Sequence, residues 1–256
     1  MKPHRLLAEA RAPGGASLTL HEHDGAYCVR IGGRELMHSG AAFSEERLGE
    51  IGTATLTRGQ PARVLIGGLG LGFTLRSVLA HAGPKVAVEV AELLPEIVAW
   101  NREFLAALNG AALDDPRVAV RVGDVGAIVR AAAPGRYAAI LLDIDNGPAA
   151  LVQAANARLY DESGIRDLAT ALAPGGRLVV WSAGADRAFE RRLARAGFAV
   201  QAVPVKIHAG ARQEAGRLFV GDKPARRPDG VANADAAVRP SRAPVVTAAD
   251  RRRRRL

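Results

Sequence analysis

From Pro61 onward the chain repeats one pattern: an apolar run of strand length, a glycine-rich or polar turn, then a segment with helical spacing. Residues 63–66, 85–90, 118–122, 138–142 and 177–181 read as strands, and residues 73–82, 95–108, 125–132 and 165–172 as the helices between them. Apolar strands that alternate with helices build a parallel sheet covered on both faces, because each crossover returns the chain to the same edge direction. A further helix over 185–196 and a strand pair, 199–206 and 217–220 around a turn at Gly210, close the sequence of elements.

The first sixty residues have a different texture. Polar and apolar residues alternate over 17–20, 26–31 and 35–37, broken at His23-Asp24-Gly25 and Gly32-Gly33, which is the spacing of a small antiparallel hairpin or meander. Residues 44–51 follow as a short helix, with Ser44 as N-cap and Arg47 and Glu50 on the wet side. The expected organisation is a small β domain plus helix over 1–58, an α/β domain over 59–221, and a tail over 222–256.

That tail holds ten Lys/Arg against four Asp, so it carries +6 of the formal net charge of +9. It has no apolar period, ends in five arginines, and is expected to be disordered. Of 35 basic residues 31 are arginine, a bias spread over an Ala- and Gly-rich chain, which makes the overall basicity weak evidence for nucleic acid. No run approaches the ~18 apolar residues of a membrane-spanning helix, and the N-terminus lacks the apolar core of a signal peptide. With a single cysteine, Cys28, there is no intrachain disulfide, and a cytoplasmic protein without a membrane contact is expected.

Chemistry concentrates at the ends of the strands. Gly68-Leu69-Gly70-Leu71-Gly72 stands between a strand and a helix, where glycines let backbone approach a ligand and the helix presents free N–H groups; the alternative is a plain tight turn. Position 73 is Phe and no GK[ST] follows, which excludes the dinucleotide and P-loop patterns. Glu92, twenty residues after Gly72, can accept hydrogen bonds from both hydroxyls of a ribose, or cap the helix ahead of Pro95. Glu89 competes for the role from inside its strand. Asp124 after the third strand suits an adenine amino group or an N-cap. Asp143 and Asp145 end the fourth strand on one side of the chain, where two acids can capture and deprotonate a cationic amine, or simply form an exposed turn. His21 and His23 lie on one strand face without a third ligand nearby, so no metal is expected, and Cys28 reads as core.

The segments GGLGLGFTLR, AELLPEIV, LDDPRVAVRVGD, YAAILLDIDNGP, ARLYDESGI and ALAPGGRLVVW run in the order and spacing of the spermidine synthase-like (polyamine aminopropyltransferase) family of class I S-adenosylmethionine-dependent transferases. The chain resembles that family over roughly residues 15–221, and DDPRV at 114–118 and Gly175-Gly176 are the most telling matches. The resemblance implies a Rossmann-like class I methyltransferase fold, a seven-stranded, mostly parallel sheet with a small N-terminal β domain. It also implies S-adenosylmethionine or its decarboxylated form as donor, with Gly68, Gly70 and Gly72 around the methionine part, Glu92 on ribose, Asp124 on adenine, and Asp143 as the acid that positions the amine, seconded by Asp145.

Departures from the family fall on one side of that site. The acid that the family carries in the glycine loop is Leu71 here, a glutamine after the fifth strand is replaced by Trp181-Ser182, and an N-terminal glutamine corresponds to Met37. The nucleoside half is kept while the acceptor half is rewritten. The expected activity is transfer of an aminopropyl or methyl group to a small-molecule acceptor of amine type, with Trp181 as an apolar or cation–π wall. A nucleic-acid-associated methyltransferase using the Arg tail, a non-catalytic nucleoside-binding relative, and a homodimer stay open.

Overall fold

Neighbouring residues of the central strands go to opposite layers, and this alternation shows how the chain is sandwiched. In β5 (Ala62–Gly67), Val64 and Ile66 enter one apolar cluster while Leu65, between them, enters the other. β8 (Tyr137–Leu142) divides in the same way, Ala139 and Leu141 against Ile140 and Leu142. The computed structural model describes residues 4–12, 15–144, 156–206, 211, 214 and 216–225.

Four strands, β1 (Arg5–Arg11), β2 (Ser17–His23), β3 (Ala26–Ile31) and β4 (Arg34–His38), form an antiparallel meander in the order β1-β2-β3-β4. The meander was legible from residue 17 onward; β1 was not, and it forms because Arg5–Arg11 pairs with β2 across a bulge between Leu6 and Ala8. Leu18, Leu20 and Val29 of the meander are fully buried in the same cluster as Val64 and Ile66.

Helix α1 (Ala42–Thr53) starts earlier than the sequence indicates. A 3-10 turn over Ser39–Ala41, capped by His38 Nδ1 accepting from the Gly40 N–H at 3.0 Å, leads into it, so Ser44 lies buried within the first turn and is not the N-cap. Arg47 and Glu50 do form an exposed ion pair.

After β5 come α2 (Phe73–His81), β6 (Val86–Glu92), α3 (Pro95–Glu103) and α4 (Ala106–Asn109), then β7 (Val118–Val122) and α5 (Val125–Arg130). One helix was expected over 95–108; it breaks at Phe104 and Leu105, both of whose N–H groups turn back to the Trp100 carbonyl. β8 is followed by α6 (Ala157–Tyr160), α7 (Glu162–Ala171), β9 (Leu172–Ser182), α8 (Arg187–Arg195), β10 (Ala199–Val205) and β11 (Gly216–Asp222). The turn expected at Gly210 lies outside the described residues.

The seven-stranded sheet has the order β10-β11-β9-β8-β5-β6-β7, parallel except for β11, which runs antiparallel between β9 and β10. The order turns back at β5, flanked by β6 and β8, and an open α/β sheet binds ligands at the carboxyl ends of such strands. Helices α1, α2 and α3 cover one face through Leu48, Leu75, Val78 and Ile97; α5, α7 and α8 cover the other through Val129, Ile165, Leu168 and Phe189.

The tail expected from residue 222 begins too early. Asp222 ends β11 and holds Arg177 through two bonds, at 2.7 and 2.9 Å, and Lys223 Nζ donates to the Ala169 and Leu172 carbonyls at 2.6 Å. Residues 226–256 lie outside the described residues. Among those described, no helix is long and apolar enough to cross a membrane.

Candidate active site

At the carboxyl ends of β5, β6 and β8 the chain must turn without blocking the crevice, and Gly68 makes this possible. It has φ +89°, and a Cβ there would stand 2.1 Å from the main-chain oxygen of Asp143. No L side chain fits that contact or favours that backbone, so glycine at 68 lets the loops after β5 and β8 touch. The Gly67 carbonyl and Asp143 N–H (2.8 Å), and the Gly68 N–H and Ala91 carbonyl (2.8 Å), tie the three strand ends together.

The glycine loop is braced from behind by two residues that sequence reasoning passed over. Asn101 Nδ2 donates to the Gly70 carbonyl at 2.9 Å and to Ile97 at 2.8 Å, and Asn109 Nδ2 donates to Asn101 Oδ1 at 2.8 Å. Both amides are buried, and Gly72, φ +90°, leaves them room: a Cβ there would meet Asn109 at 2.9 Å. Two asparagines eight residues apart on a helical stretch give no sequence signal of such a clamp. Leu71 is packed into the core, so the loop brings no charge of its own.

Glu92 closes β6 and is only 7% exposed. Its Oε2 accepts from the Leu69 N–H at 2.8 Å and its Oε1 from the Leu94 N–H at 2.9 Å, so one carboxylate joins the glycine loop to the start of α3. Burial pushes its pKa up, while main-chain N–H groups of Leu94, Leu69, Leu93 and Gly70 pull it down. Of the roughly four acceptor sites of a carboxylate, the bonds from Leu69 and Leu94 take one on each oxygen. Glu89, the competing acid, is occupied elsewhere: Arg121 and Arg136 both reach it at 3.0 Å, and Arg63 at 3.9 Å. Asp124 is exposed and caps α5, accepting from the Ala127 N–H at 2.6 Å.

Asp143 follows β8 and accepts from Thr74 Oγ1 of α2 at 3.1 Å. The same hydroxyl lies 3.5 Å from the Glu45 main-chain carbonyl of α1, so Thr74 pins three elements at one point. Desolvation by the surrounding walls raises the Asp143 carboxyl to about 6, and the Thr74 bond opposes this. Glu45 was not foreseen as a site residue. Burial, then the charge of Asp143, then that of Glu46, push its carboxyl well up, with Arg76 pulling the other way. Asp145 lies outside the described residues.

These groups open onto one cavity of about 350 Å3. Gly68, Gly70, Glu92, Asp124 and Asp143 all line it, together with Glu45, Met37 and Trp181; Gly72 does not. Five carboxylates face the cavity (Glu35, Glu45, Glu92, Asp124 and Asp143) and, among the described residues, no lysine or arginine does. His21 and His23 take no part: His21 bonds Thr19 at 2.9 Å and His23 stacks on His4 with centroids 4.2 Å apart.

Strand order and crevice together define a Rossmann-like α/β protein of class I methyltransferase topology, carrying an N-terminal β meander. Residues 42–191 match the spermine/spermidine synthase domain, and the chain belongs to that family. It is 38% identical over 157 residues to polyamine aminopropyltransferase 2 of Pseudomonas aeruginosa, covering 57% of this chain and 42% of that protein. It is 36% identical over 119 residues to putrescine N-methyltransferase 1 of Nicotiana tabacum, covering 45% of this chain and 29% of that one. The chain thus spans less than half the length of these relatives. A solved spermidine synthase in complex with the transition-state analogue AdoDATO superposes with a TM-score of 0.71 at 18% identity, over 87% of this chain and 75% of that one, which shows the shared fold.

Proposed function

We propose that this protein transfers an alkyl group from a sulfonium donor of the S-adenosylmethionine type to an amine. The observation that carries this reading is a cavity at the switch point of the sheet, lined by five carboxylates and, among the described residues, by no compensating lysine or arginine. Both partners of such a reaction are cationic, and a lining whose acids outnumber its bases attracts both. The two relatives named above are an aminopropyltransferase and a putrescine methyltransferase, which is the same chemistry with different groups moved.

In the reaction the amine nitrogen bonds to the carbon of the sulfonium, the C–S bond breaks with its electron pair going to sulfur, and the amine gives up a proton. The sulfonium leaves readily, so the protein's work is alignment and keeping the amine neutral at attack. In this reading Glu92 takes the ribose diol, Asp124 the adenine end, and Asp143 the ammonium proton. A carboxyl raised to about 6 is a better base than an ordinary aspartate, because it sits nearer to working pH.

Of the two donors the loop suits the intact methionine end. Leu71 offers no charge to a bare propylammonium, and α2 follows the glycine loop with no side-chain cap on its N–H groups, a setting that favours a carboxylate. Calorimetry with S-adenosylmethionine and its decarboxylated form side by side tests this. Binding of the first more tightly than the second supports methyl transfer, the reverse order restores aminopropyl transfer, and heat from neither refutes the reading.

A further inference from the structure

Glu45 is an acid that nothing in the fold requires. It sits in the first turns of α1, where its side chain lines the cavity, and its Oε2 is closed off from solvent without a hydrogen-bond partner among the described residues. The cation nearest to it, Arg76, is already engaged: that guanidinium pairs with Glu46 and donates to the Leu108 carbonyl at 2.7 Å. A desolvated carboxylate oxygen with no donor is unfavourable, and a second carboxylate beside it adds repulsion. An arrangement that is unfavourable in the empty protein is explained by what completes it.

We propose that Glu45 is the second carboxylate of the acceptor site, that it shares one ammonium group with Asp143, and that the acceptor is a primary amine on an apolar body. An ammonium has three N–H donors, enough to serve both carboxylates while the third stays free. Among the described residues the cavity wall beyond the two acids is mostly apolar: Ile31, Leu36 and Met37 from the meander, Ile144 after β8, and the ring face of Trp181, whose indole N–H has no partner there. Glu35 and His38 are exposed at the rim, where solvent screens them. A monoamine puts no second charge against such walls, whereas the far ammonium of a diamine would be stripped of water among them.

The inference rests on the amine-transfer reading and refines it to a substrate class and a residue. The charged groups around Glu45 are Asp143 after β8, Glu46 on its own helix, Arg76 on α2, and Glu35 and His38 from the meander. Protonation of the Glu45–Asp143 pair removes the charge that holds the ammonium, so amine affinity must weaken as pH falls through about 6.

The full chain is titrated calorimetrically with n-hexylamine, 1,6-diaminohexane and n-hexanol, with and without saturating 5′-methylthioadenosine. Hexylamine is expected to bind at least tenfold more tightly than either other probe, and at least tenfold more tightly at pH 8 than at pH 5. Glu45→Gln should lose at least tenfold in hexylamine affinity, keep its nucleoside affinity within twofold, and melt no lower than wild type; Glu45→Asp should recover part of the loss. Diaminohexane binding as tightly as hexylamine overturns the monoamine class, and an unchanged hexylamine affinity in Glu45→Gln overturns the role of Glu45. Amine binding without any nucleoside binding would instead sink the transferase reading while leaving this inference standing.

Discussion

The two halves of the cavity treat their polar groups in opposite ways. On the side proposed for the nucleoside, Glu92 spends both oxygens on main-chain N–H groups, Asn101 and the Asn109 Nδ2 clamp the loop, and Asp124 is a satisfied helix cap; Asn109 Oδ1 lacks a partner among the described residues but does not line the cavity. On the acceptor side a carboxylate oxygen of Glu45 and the indole N–H of Trp181 are buried with no partner, and Asp143 is desolvated. A group already satisfied by the fold holds shape whether or not ligand is present, whereas an unsatisfied one waits for a ligand to complete it. The difference assigns geometry to the first half and selectivity to the second.

The strongest test of that division is Asp143→Asn. An amine with a pKa near 10 is mostly protonated at neutral pH, and the amide can neither steer it as a charge nor take its proton. Turnover with the best-bound amine should fall at least a hundredfold while calorimetric nucleoside affinity stays within twofold. Full activity in the variant would move the proton acceptor to another group.

The same carboxyl makes a prediction about stability. Its pKa is raised in the folded protein, so between its ordinary value near 4 and about 6 the native state binds more protons than the unfolded one. Stability therefore falls as pH rises through that window, by up to about 1.4 kcal/mol per pH unit. Asp143→Asn lacks this dependence, and its melting temperature should gain on wild type from pH 4 to pH 6. Glu45, also raised, acts in the same direction. Parallel melting curves for the two proteins across that range would show the acceptor acids to be well solvated, and the contrast between the halves would be lost.

Most of the sheet was readable because β5, β6 and β8 are apolar runs bounded by turns, and Gly68, Glu92, Asp124 and Asp143 stand at the strand ends where such a sheet binds ligands. β1 was missed because Arg5–Arg11 has no strict alternation and becomes a strand only by pairing with β2. The break between α3 and α4 carries no Gly or Pro signal and is made by tertiary packing. Glu45 was overlooked inside a polar run, Ser44-Glu45-Glu46-Arg47, that looks like a solvent face. The signal was its spacing, since Leu48, Gly49 and Gly52 stand three, four and seven residues on, share its helix face, and are buried.

A smaller effect is expected from Glu92→Ala. Nucleoside affinity should fall more than tenfold, about 1.4 kcal/mol or more, since the proposed ribose contact and the bond to Leu69 N–H are lost together. Amine binding to the nucleoside-free protein should change less than twofold, because Glu92 belongs to the satisfied half. An equal loss of both affinities would show that the halves are one coupled unit.

The smallest effect separates two truncations. Cutting after Gly221 removes Asp222 and Lys223, and with them two bonds to Arg177 and two to the carbonyls that end α7 and begin β9. Hydrogen bonds to charged groups are worth about 1.5–3 kcal/mol when buried and less where solvent reaches them, and Asp222 is partly exposed, so a loss of about 1–2 kcal/mol is expected. For a domain of this size that lowers the melting temperature by roughly 2–8 °C. Cutting after Ala225 keeps every one of these bonds and removes a segment whose composition has no apolar period, so melting temperature and nucleoside affinity should both stay where they are. If the longer fragment melts as low as the shorter one, residues 226–256 contribute to the fold in a way their composition does not indicate.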